Sequence, residues 1–171
     1  MLNAKCLSGV TVAGALVLLA INGIAHGNER GIAKTTLDGA TVTIDYGRPT
    51  LKGRDVTKLI QPGAFWRIGA DAPTTIDTNA EIDFGGTRVP KGKHILLARY
   101  IEPGKWSLVV STKPASQYDP SAKLAEAPAE VQQGKDSVEE VTIQLSAKGS
   151  QGVIEITWGT LRLVGSFSVA R

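Results

Sequence analysis

The residues best suited to chemistry lie in one stretch, DYGRPTLKGRDVTKLIQPGAFWR, which spans residues 45–67. It contains three arginines and two lysines together with a tyrosine and a tryptophan. A guanidinium group offers a planar fork of N–H donors that matches a carboxylate, phosphate or sulfate, and an indole ring can stack on a sugar. Pro49 and Gly53 favour turns that would bring the cations onto one rim. The stretch therefore predicts a loop-borne site for a small polar, anionic or carbohydrate ligand.

Side chains just beyond this stretch add hydroxyl and carboxylate groups to the predicted site. Asp71, Thr74 and Thr75 lie in the segment GADAPTT, close behind the last arginine. Such groups would complete a polar pocket around the cations and orient a ligand by hydrogen bonds. The full predicted ligand site consists of Asp45, Tyr46, Arg48, Lys52, Arg54, Trp66, Arg67, Asp71, Thr74 and Thr75.

Two other interpretations of these residues stay open. In the first, the arginines pair with Asp45, Asp55 and Asp71 as internal ionic clamps of a non-catalytic structural or interaction domain in the cell envelope. Removing one partner of such a pair would cost about 3 to 5 kcal/mol if the pair is buried, whereas an exposed pair contributes about 0 to 1 kcal/mol. In the second, Asp45 or Asp71 acts with Tyr46 in a metal-independent acid/base enzyme. Trp66 is interpreted as a core residue rather than a ligand platform.

The chain lacks the residues that most other catalytic and binding chemistries need. After residue 25 the chain has no cysteine and only two histidines, His26 and His94, and it has no HExxH, paired CxxC or DxDxDG motif. It also lacks a GxSxG nucleophile elbow and a phosphate-binding glycine loop. The net charge of +3, from 19 Lys and Arg against 16 Asp and Glu, is too small and too evenly spread to predict nucleic-acid binding. We therefore assign no catalytic residue, metal or cofactor, and binding is favoured over catalysis.

The N-terminus has the features of a signal peptide. The positive segment MLNAK precedes an apolar run, and Gly23 and Ala25 occupy the −3 and −1 positions of a small-x-small cleavage site. The 20 residues of the run, 6–25, are also just long enough to anchor the chain in a membrane if cleavage does not occur. We therefore predict a signal peptide or N-terminal anchor at residues 1–25, a single domain at residues 26–171, and a periplasmic or secreted location.

The elements that must position the site are strands. In ATVTIDY the apolar residues alternate with polar ones, which is the pattern of a strand with one buried and one exposed face. Further short runs, from GIAKTTL to TLRLVGSFSV, are separated by turn pairs such as Asp38-Gly39 and Gly85-Gly86. About ten short strands result, and long crossovers of the kind that parallel strands need are mostly missing. The sequence predicts an all-β fold, an antiparallel β-sandwich or a jelly-roll-like barrel.

One segment interrupts this pattern. Residues 112–136, TKPASQYDPSAKLAEAPAEVQQGKD, are rich in Pro, Ala, Lys, Glu and Gln and can bury little surface. We predict an exposed loop there, a slack insertion rather than a lid, because its tip carries no cluster of reactive side chains.

The runs IDYGRPTLKGRDV, FWRIGADAPTT and VPKGKHILLARYIEPGKWSLVVST resemble the bacterial secreted family named domain of unknown function 2911. The resemblance covers most of the chain after the leader, from about Ala33 to the last predicted strand. It implies an extracytoplasmic, β-rich domain, and the family has no established activity. The resemblance therefore supports the compartment and the fold class and assigns no ligand.

Overall fold

The computed structural model describes residues 27–171, so the predicted signal peptide and its cleavage site lie outside the described residues. The described part contains ten strands and a single-turn helix. None of the helices in residues 27–171 has the length and apolar character needed to cross a membrane. In chain order the elements are β1 (Arg30–Leu37), β2 (Ala40–Gly47), α1 (Val56–Leu59), β3 (Phe65–Trp66), β4 (Thr75–Thr78), β5 (Ile82–Phe84), β6 (Thr87–Val89), β7 (Gly92–Glu102), β8 (Lys105–Ser111), β9 (Lys123–Lys148) and β10 (Gln151–Val169).

All strands pair antiparallel within one extended sheet, in the order β1-β2-β4-β7-β8-β9-β10-β5-β6, with β3 beside β7. The sheet is not closed into a barrel and is consistent with a sandwich, so the all-β prediction is confirmed. Fully buried side chains from both halves, such as Ile44, Leu96, Ile154 and Leu163, belong to the same core cluster. The two halves of the sheet therefore pack face to face.

The first hairpin shows how local sequence sets the register. In β2 every second residue from Ala40 to Tyr46 is buried, as the alternation predicts. Asp38 and Gly39 connect β1 to β2 with positive φ values of 47° and 80°, which suits a tight two-residue turn. This register places Asp45 and Tyr46 at the end of the strand, next to the cationic stretch.

The strands of the C-terminal third are longer than predicted. The runs VIEITW and TLRLVGSFSV form one strand, β10, of 19 residues, and β9 has 26 residues. Residues 123–129 of β9 pair with β8, whereas its section from Glu130 onward pairs with β10. The long strand therefore joins the two halves of the sheet.

The prediction of an exposed loop at residues 112–136 is wrong for more than half of that range. Residues 112–122 connect β8 to β9 through two short 3-10 turns, but β9 begins at Lys123. Ala125, Ala127 and Ala129 are buried, and each lies between more exposed residues. The segment is a strand with a buried alanine face. Its alanine and glutamate composition concealed the period of two, because alanine contributes little apolar surface.

Pro128 also argued against a strand, because proline cannot donate a backbone hydrogen bond to a neighbouring strand. It is paired with Ser107 of β8 and lies before the section of β9 that pairs with β10. The missing N–H therefore interrupts no pairing with β10.

Candidate functional site

Residues 49–51, which follow β2, lie against β9 where its pairing with β10 is irregular. The N–H of Leu51 donates to the carbonyl of Glu139 at 2.7 Å, and the N–H of Val141 donates to the carbonyl of Pro49 at 3.2 Å. The register between β9 and β10 shifts on both sides of Gly159, so this part of β9 is free to pair with the incoming segment. The cationic stretch is thereby fixed to the sheet at its centre.

Arg48 is an internal clamp of this junction. One terminal nitrogen of its guanidinium lies 2.7 Å from a carboxylate oxygen of Glu140, and the two side chains are 31% and 35% exposed. Its backbone N–H donates to the carbonyl of Glu29 at 2.7 Å. The Nε atom is buried and has no hydrogen-bond partner within residues 27–171. Arg48 therefore connects the end of β2 to β9 and is largely occupied by internal contacts.

The structure gives Arg48 and Asp45 partners other than those expected for the clamps. Arg48 pairs with Glu140, and Asp45 pairs with Arg30 at 2.7 Å. Asp55 lies 3.7 Å from Lys58. The expectation used residues close in sequence, but a sheet brings together residues that are far apart along the chain. Glu140 follows Arg48 by more than half the length of the chain.

Lys52 and Arg54 line an open cleft of about 590 Å³. Its remaining walls are formed by Asn28, Pro49, Thr50, Gly69, Ala70 and Trp158. We call this the cationic cleft. Its volume falls within the range of about 300 to 1,000 Å³ that small-molecule sites occupy.

The backbone around Lys52 is held in a strained turn. Lys52 and Gly53 have φ values of 51° and 71°, and a positive φ is uncommon for a residue with a side chain. The Lys52 N–H donates to a carboxylate oxygen of Glu139 at 2.7 Å, which stabilises the turn. The Lys52 side chain is exposed, and none of the ion pairs among residues 27–171 uses its ammonium group. The fold thus presents an exposed ammonium group, in no ion pair among the described residues, from a fixed backbone.

Arg54 is oriented by its own loop and by an aromatic ring. Its Nε and one terminal nitrogen donate to the carbonyls of Leu51 and Thr50, both at 2.9 Å. The central guanidinium carbon lies 6.0 Å from the centroid of the Trp158 ring, within the range of a cation–π contact. These contacts fix the guanidinium at the cleft wall.

Trp158 gives the cleft a rigid wall. It is only 6% exposed, and its ring stacks on Trp66 with a centroid distance of 5.8 Å and an interplanar angle of 9°. Its indole nitrogen is buried and has no acceptor within residues 27–171, so the ring offers the cleft apolar surface rather than a donor. Trp66 in turn meets the edge of Trp106 at 6.5 Å. All three tryptophans are buried in the core, as the sequence analysis predicted for Trp66.

Tyr46 does not line the cationic cleft. Its ring is buried and lies so close to Gly31 that a Cβ atom there would come within 2.5 Å of it. Its hydroxyl accepts from the N–H of Ile143 at 3.0 Å and donates to the carbonyl of the same residue at 3.4 Å. Tyr46 therefore ties β2 to β9 and is not available to a ligand in that cleft.

Four more predicted residues are also placed away from the cationic cleft. Trp66 is a core residue, and Thr74 is buried with its hydroxyl donating to the carbonyl of Ile68 at 2.7 Å. Asp45 and Thr75 are register partners on β2 and β4. Because neighbouring residues of a strand point to opposite faces, Asp45 and the buried Tyr46 cannot act in one acid/base site.

Arg67 and Asp71 belong to a second, smaller cleft of about 160 Å³, which Thr74 also lines. Asp71 accepts hydrogen bonds from the backbone N–H of Asn28 at 2.7 Å and from its side-chain amide at 3.1 Å. These bonds, together with the charges of Arg67 and Arg30, hold the pKa of Asp71 below its usual value. Asp71 is therefore a carboxylate at neutral pH, where it offsets the charge of Arg67.

The chain between the two clefts separates them. Gly69 and Ala70 line the cationic cleft, whereas Arg67 and Asp71 line the second one. A Cβ atom on Gly47 would come within 2.2 Å of the carbonyl oxygen of Ala70, so this chain packs directly on the end of β2. The expectation of one cationic patch is therefore wrong, and the cations divide among a clamp and two clefts.

Sequence reasoning missed several residues that line the cationic cleft or contact the loop that carries Lys52 and Arg54. Glu139 and Glu140 come from the middle of β9, and Asn28 comes from the segment before β1. The adjacent carboxylates of Glu139 and Glu140 were the available signal, because two charges side by side in a strand need partners. Trp158 was also absent from the predicted ligand site, although it lines the cleft.

No group of three or more His, Cys, Asp or Glu side chains within residues 27–171 is placed to hold a metal ion. The Nε2 atom of His94 lies 2.8 Å from the carbonyl oxygen of Pro90, so this ring nitrogen has a hydrogen-bond partner within the protein.

Comparison with known proteins gives a family and no characterised relative. The model of a family described as protein of unknown function, DUF2911, matches residues 29–166. That range includes every residue of the cationic cleft except Asn28. No curated protein and no solved structure matches the chain. The chain belongs to DUF2911, a family of proteins of unknown function.

Proposed function

We propose that this protein binds a small anionic ligand in the cationic cleft and does so without catalysing a reaction. The observation that carries the proposal is the exposed Lys52 ammonium beside the fixed Arg54 guanidinium in a cleft of about 590 Å³. Arg48 pairs with Glu140 and Arg67 lies near Asp71, whereas none of the ion pairs among residues 27–171 uses the Lys52 ammonium.

The contacts around the cleft favour binding because they fix the Arg54 guanidinium and the backbone of Lys52 before a ligand arrives. Glu139 holds the backbone of Lys52, and two carbonyls and the Trp158 ring orient Arg54. A site with groups already in place loses less conformational entropy when a ligand binds. The cleft is therefore suited to an acidic ligand that contacts Lys52 and Arg54.

A carbohydrate is less well supported than an anion. Sugar binding commonly uses an exposed aromatic face, whereas Trp66 and Trp158 are 8% and 6% exposed and stack on each other. Acid/base catalysis is also less well supported, since Tyr46 is bound to the Ile143 backbone and Asp45 faces the other side of β2. The proposed ligand class is therefore a small organic or inorganic anion.

A thermal-shift titration tests this proposal with a charge-matched pair of variants. We expect carboxylates, phosphate or sulfate to raise the Tm of the wild-type protein, since a ligand that binds only the folded state stabilises it. Lys52→Ala should abolish this shift. Lys148→Ala removes another exposed cation, which lies at the end of β9, about 30 Å from Glu139 at about 3.3 Å per residue, and should keep the shift. Equal shifts in both variants, or no shift in the wild type, would refute the proposal.

A structural or interaction domain of the cell envelope is the second candidate function. It is favoured by the half-buried pair of Arg48 with Glu140 and by the backbone bonds that attach residues 49–51 to β9. Under this alternative, no small anion raises the Tm of the protein when the ionic strength is held constant. The same titration therefore distinguishes the two functions.

The proposal includes a location outside the cytoplasm. It is supported by the charged segment, apolar run and small-residue cleavage pattern of residues 1–25. Expression of the full chain in a bacterium with a periplasm, followed by fractionation and N-terminal sequencing, checks it. A first residue of His26 in the periplasm or medium is expected. A full-length chain in the cytoplasm would contradict this location.

A further inference from the structure

We infer that the protein has a second binding site, for a small neutral aromatic molecule that carries one polar group and has about the size of phenol. The site is a cavity of about 190 Å³ between the two halves of the sheet. We call it the apolar cavity, and it is lined by Val56, Ile60, Tyr100, Gly104, Trp106, Val131, Gln133 and Leu161. It shares no lining residue with the cationic cleft, so the inference goes beyond the proposed function.

The walls of the apolar cavity come from distant parts of the chain. Tyr100 and Trp106 belong to β7 and β8 in one half of the sheet, whereas Leu161 belongs to β10 in the other half. Val131 lies in the section of β9 that pairs with β10, and Val56 is the first residue of α1. The cavity is therefore a gap between packed elements, which is a common location for small-molecule sites.

An irregularity of β9 lies at the edge of the cavity. Gln133 of β9 pairs with Leu161 of β10, and both residues line the cavity. The next pair joins Val138 to Gly159, so residues 134–137 bulge out of the pairing opposite one residue of β10. Bulges are enriched beside functional sites, because they end strand pairing and redirect side chains.

The walls are mostly apolar and partly aromatic. Val56, Ile60 and Leu161 are 4%, 7% and 7% exposed and form the inner wall, whereas Tyr100 and Val131 are half-buried and keep accessible surface. The Tyr100 ring stacks on Trp106 with a centroid distance of 4.6 Å and an interplanar angle of 13°. A further ring can extend this stack or meet its edge, and aromatic pairs gain energy beyond that of their buried area.

The volume of the cavity selects the size of the ligand. An apolar protein cavity of about 150 Å³ holds benzene, so a cavity of about 190 Å³ has room for one ring with a small substituent. None of the described residues that line it is charged, which favours a neutral ligand over an anion.

Two polar groups are available to orient the ligand. Within residues 27–171, neither the hydroxyl of Tyr100 nor the side-chain amide of Gln133 makes a hydrogen bond. A few polar groups among apolar walls are typical of small-molecule sites, where they fix the orientation of the ligand. A hydroxyl or amino group on the ring would bond to one of them.

Phenol tests the site through the indole N–H signals of a two-dimensional 1H–15N spectrum. The protein has three tryptophans, and Trp106→Phe identifies the Trp106 signal. Phenol should shift this signal. Cyclohexanol has a similar size but no aromatic ring, and it should bind about twofold to tenfold more weakly. Equal or tighter binding of cyclohexanol would overturn the aromatic assignment, and the absence of a shift with either compound would overturn the site.

A cavity-filling variant tests the location of the bound phenol. Val131→Phe adds a ring to the cavity from a half-buried position and should abolish the phenol shift. Ile32→Phe is the control, since it adds a ring at a residue of β1 that is 72% exposed, and it should bind phenol as the wild type does. Retained binding in Val131→Phe, or loss of binding in both variants, would overturn the assigned location.

The polar contacts are tested by a variant that keeps the cavity open. Tyr100→Phe combined with Gln133→Ala should bind phenol about twofold to tenfold more weakly than the wild type, and toluene equally well. Unchanged binding of phenol would overturn the polar contacts. Lys52→Ala should retain phenol binding, and a loss there would contradict two separate sites. Because sulfate binding at the cationic cleft is measured independently, failure of this inference leaves the proposed function intact.

Discussion

Arg48 and Lys52 lie on the same loop, yet the fold uses their charges differently. The Arg48 guanidinium pairs with Glu140, and its Nε is buried. The Lys52 side chain is exposed, and Glu139 contacts its backbone rather than its ammonium group. The difference arises because residues 49–51 pair with β9, which directs the residues on either side of the segment to different surroundings. Residue type alone therefore does not separate a clamp from a binding group.

The largest effect is expected where a predicted ligand residue has become part of the core. Trp66→Ala should lower the free energy of unfolding by about 3 to 5 kcal/mol, because it removes a large buried ring that packs on Trp106 and Trp158. Denaturant unfolding measures the change, and Trp66→Phe should lose less. If the alanine variant loses less than about 1 kcal/mol of unfolding free energy, Trp66 does not act as a core residue.

Removal of the Tyr46 hydroxyl should have the next largest effect. Tyr46→Phe leaves the buried N–H of Ile143 without its acceptor, which costs about 1 to 3 kcal/mol of unfolding free energy. Tyr100→Phe is the control, since Tyr100 contributes a ring stacked on Trp106 that phenylalanine preserves. Equal stability losses in the two variants would contradict the role assigned to the Tyr46 hydroxyl.

The clamp itself is tested by a double-mutant cycle with Arg48→Ala and Glu140→Gln. The pair is about one-third exposed, so its coupling energy should lie between the values for surface and buried pairs, at about 1 to 2 kcal/mol. Chemical denaturation of the four proteins gives this energy. If the two changes are additive within about 0.3 kcal/mol, Arg48 does not act as a clamp.

Replacement of Asp71 should have a smaller effect on stability, and the size of this effect should depend on pH. Because its pKa is lowered in the folded protein, its carboxylate stabilises the fold above the pKa of the unfolded chain. This contribution is lost as the pH falls through the folded pKa. The Tm of wild type should exceed that of Asp71→Asn at pH 7, and the gap should close between about pH 5 and pH 2. A difference in Tm that grows as the pH falls would contradict a lowered pKa of Asp71 in the folded protein.

The smallest effect on stability is expected at Lys52. Lys52→Ala should change the free energy of unfolding by no more than about 0.5 kcal/mol, because the ammonium is exposed and joins no ion pair among the described residues. The Glu139 contact should persist, since it uses the backbone N–H. A loss comparable to that of Arg48→Ala would place Lys52 among the clamps and remove the basis for ligand binding.

Much of the fold was predictable because it follows local rules. Alternation in ATVTIDY and the Asp38-Gly39 turn predicted the first hairpin, and the Gly85-Gly86 pair predicted the turn from β5 to β6. The start of β9 was missed because its buried face is made of alanine, which resembles a polar loop in composition. The local sequence pattern predicted that a strand is present, whereas the length of the strand depended on its pairing with distant segments.

The candidate site was predictable in part. The stretch that contains Lys52 and Arg54 was identified from residue type, and both line the cationic cleft. The anionic partners Glu139 and Glu140 were not identified, because they reach the stretch only when β9 pairs with residues 49–51. Arg67 was assigned to the same patch but lies in a different cleft.

The sequence by itself determined the all-β class, the main hairpin turns and the location of the cationic stretch, because alternation and turn chemistry act between near neighbours. Only the tertiary structure decided which cations are neutralised and which remain exposed. That choice depends on the long-range pairing of the loop with β9, where Glu140 neutralises Arg48 and Glu139 holds the backbone of Lys52. The charge left in the cleft is therefore a property of the assembled sheet.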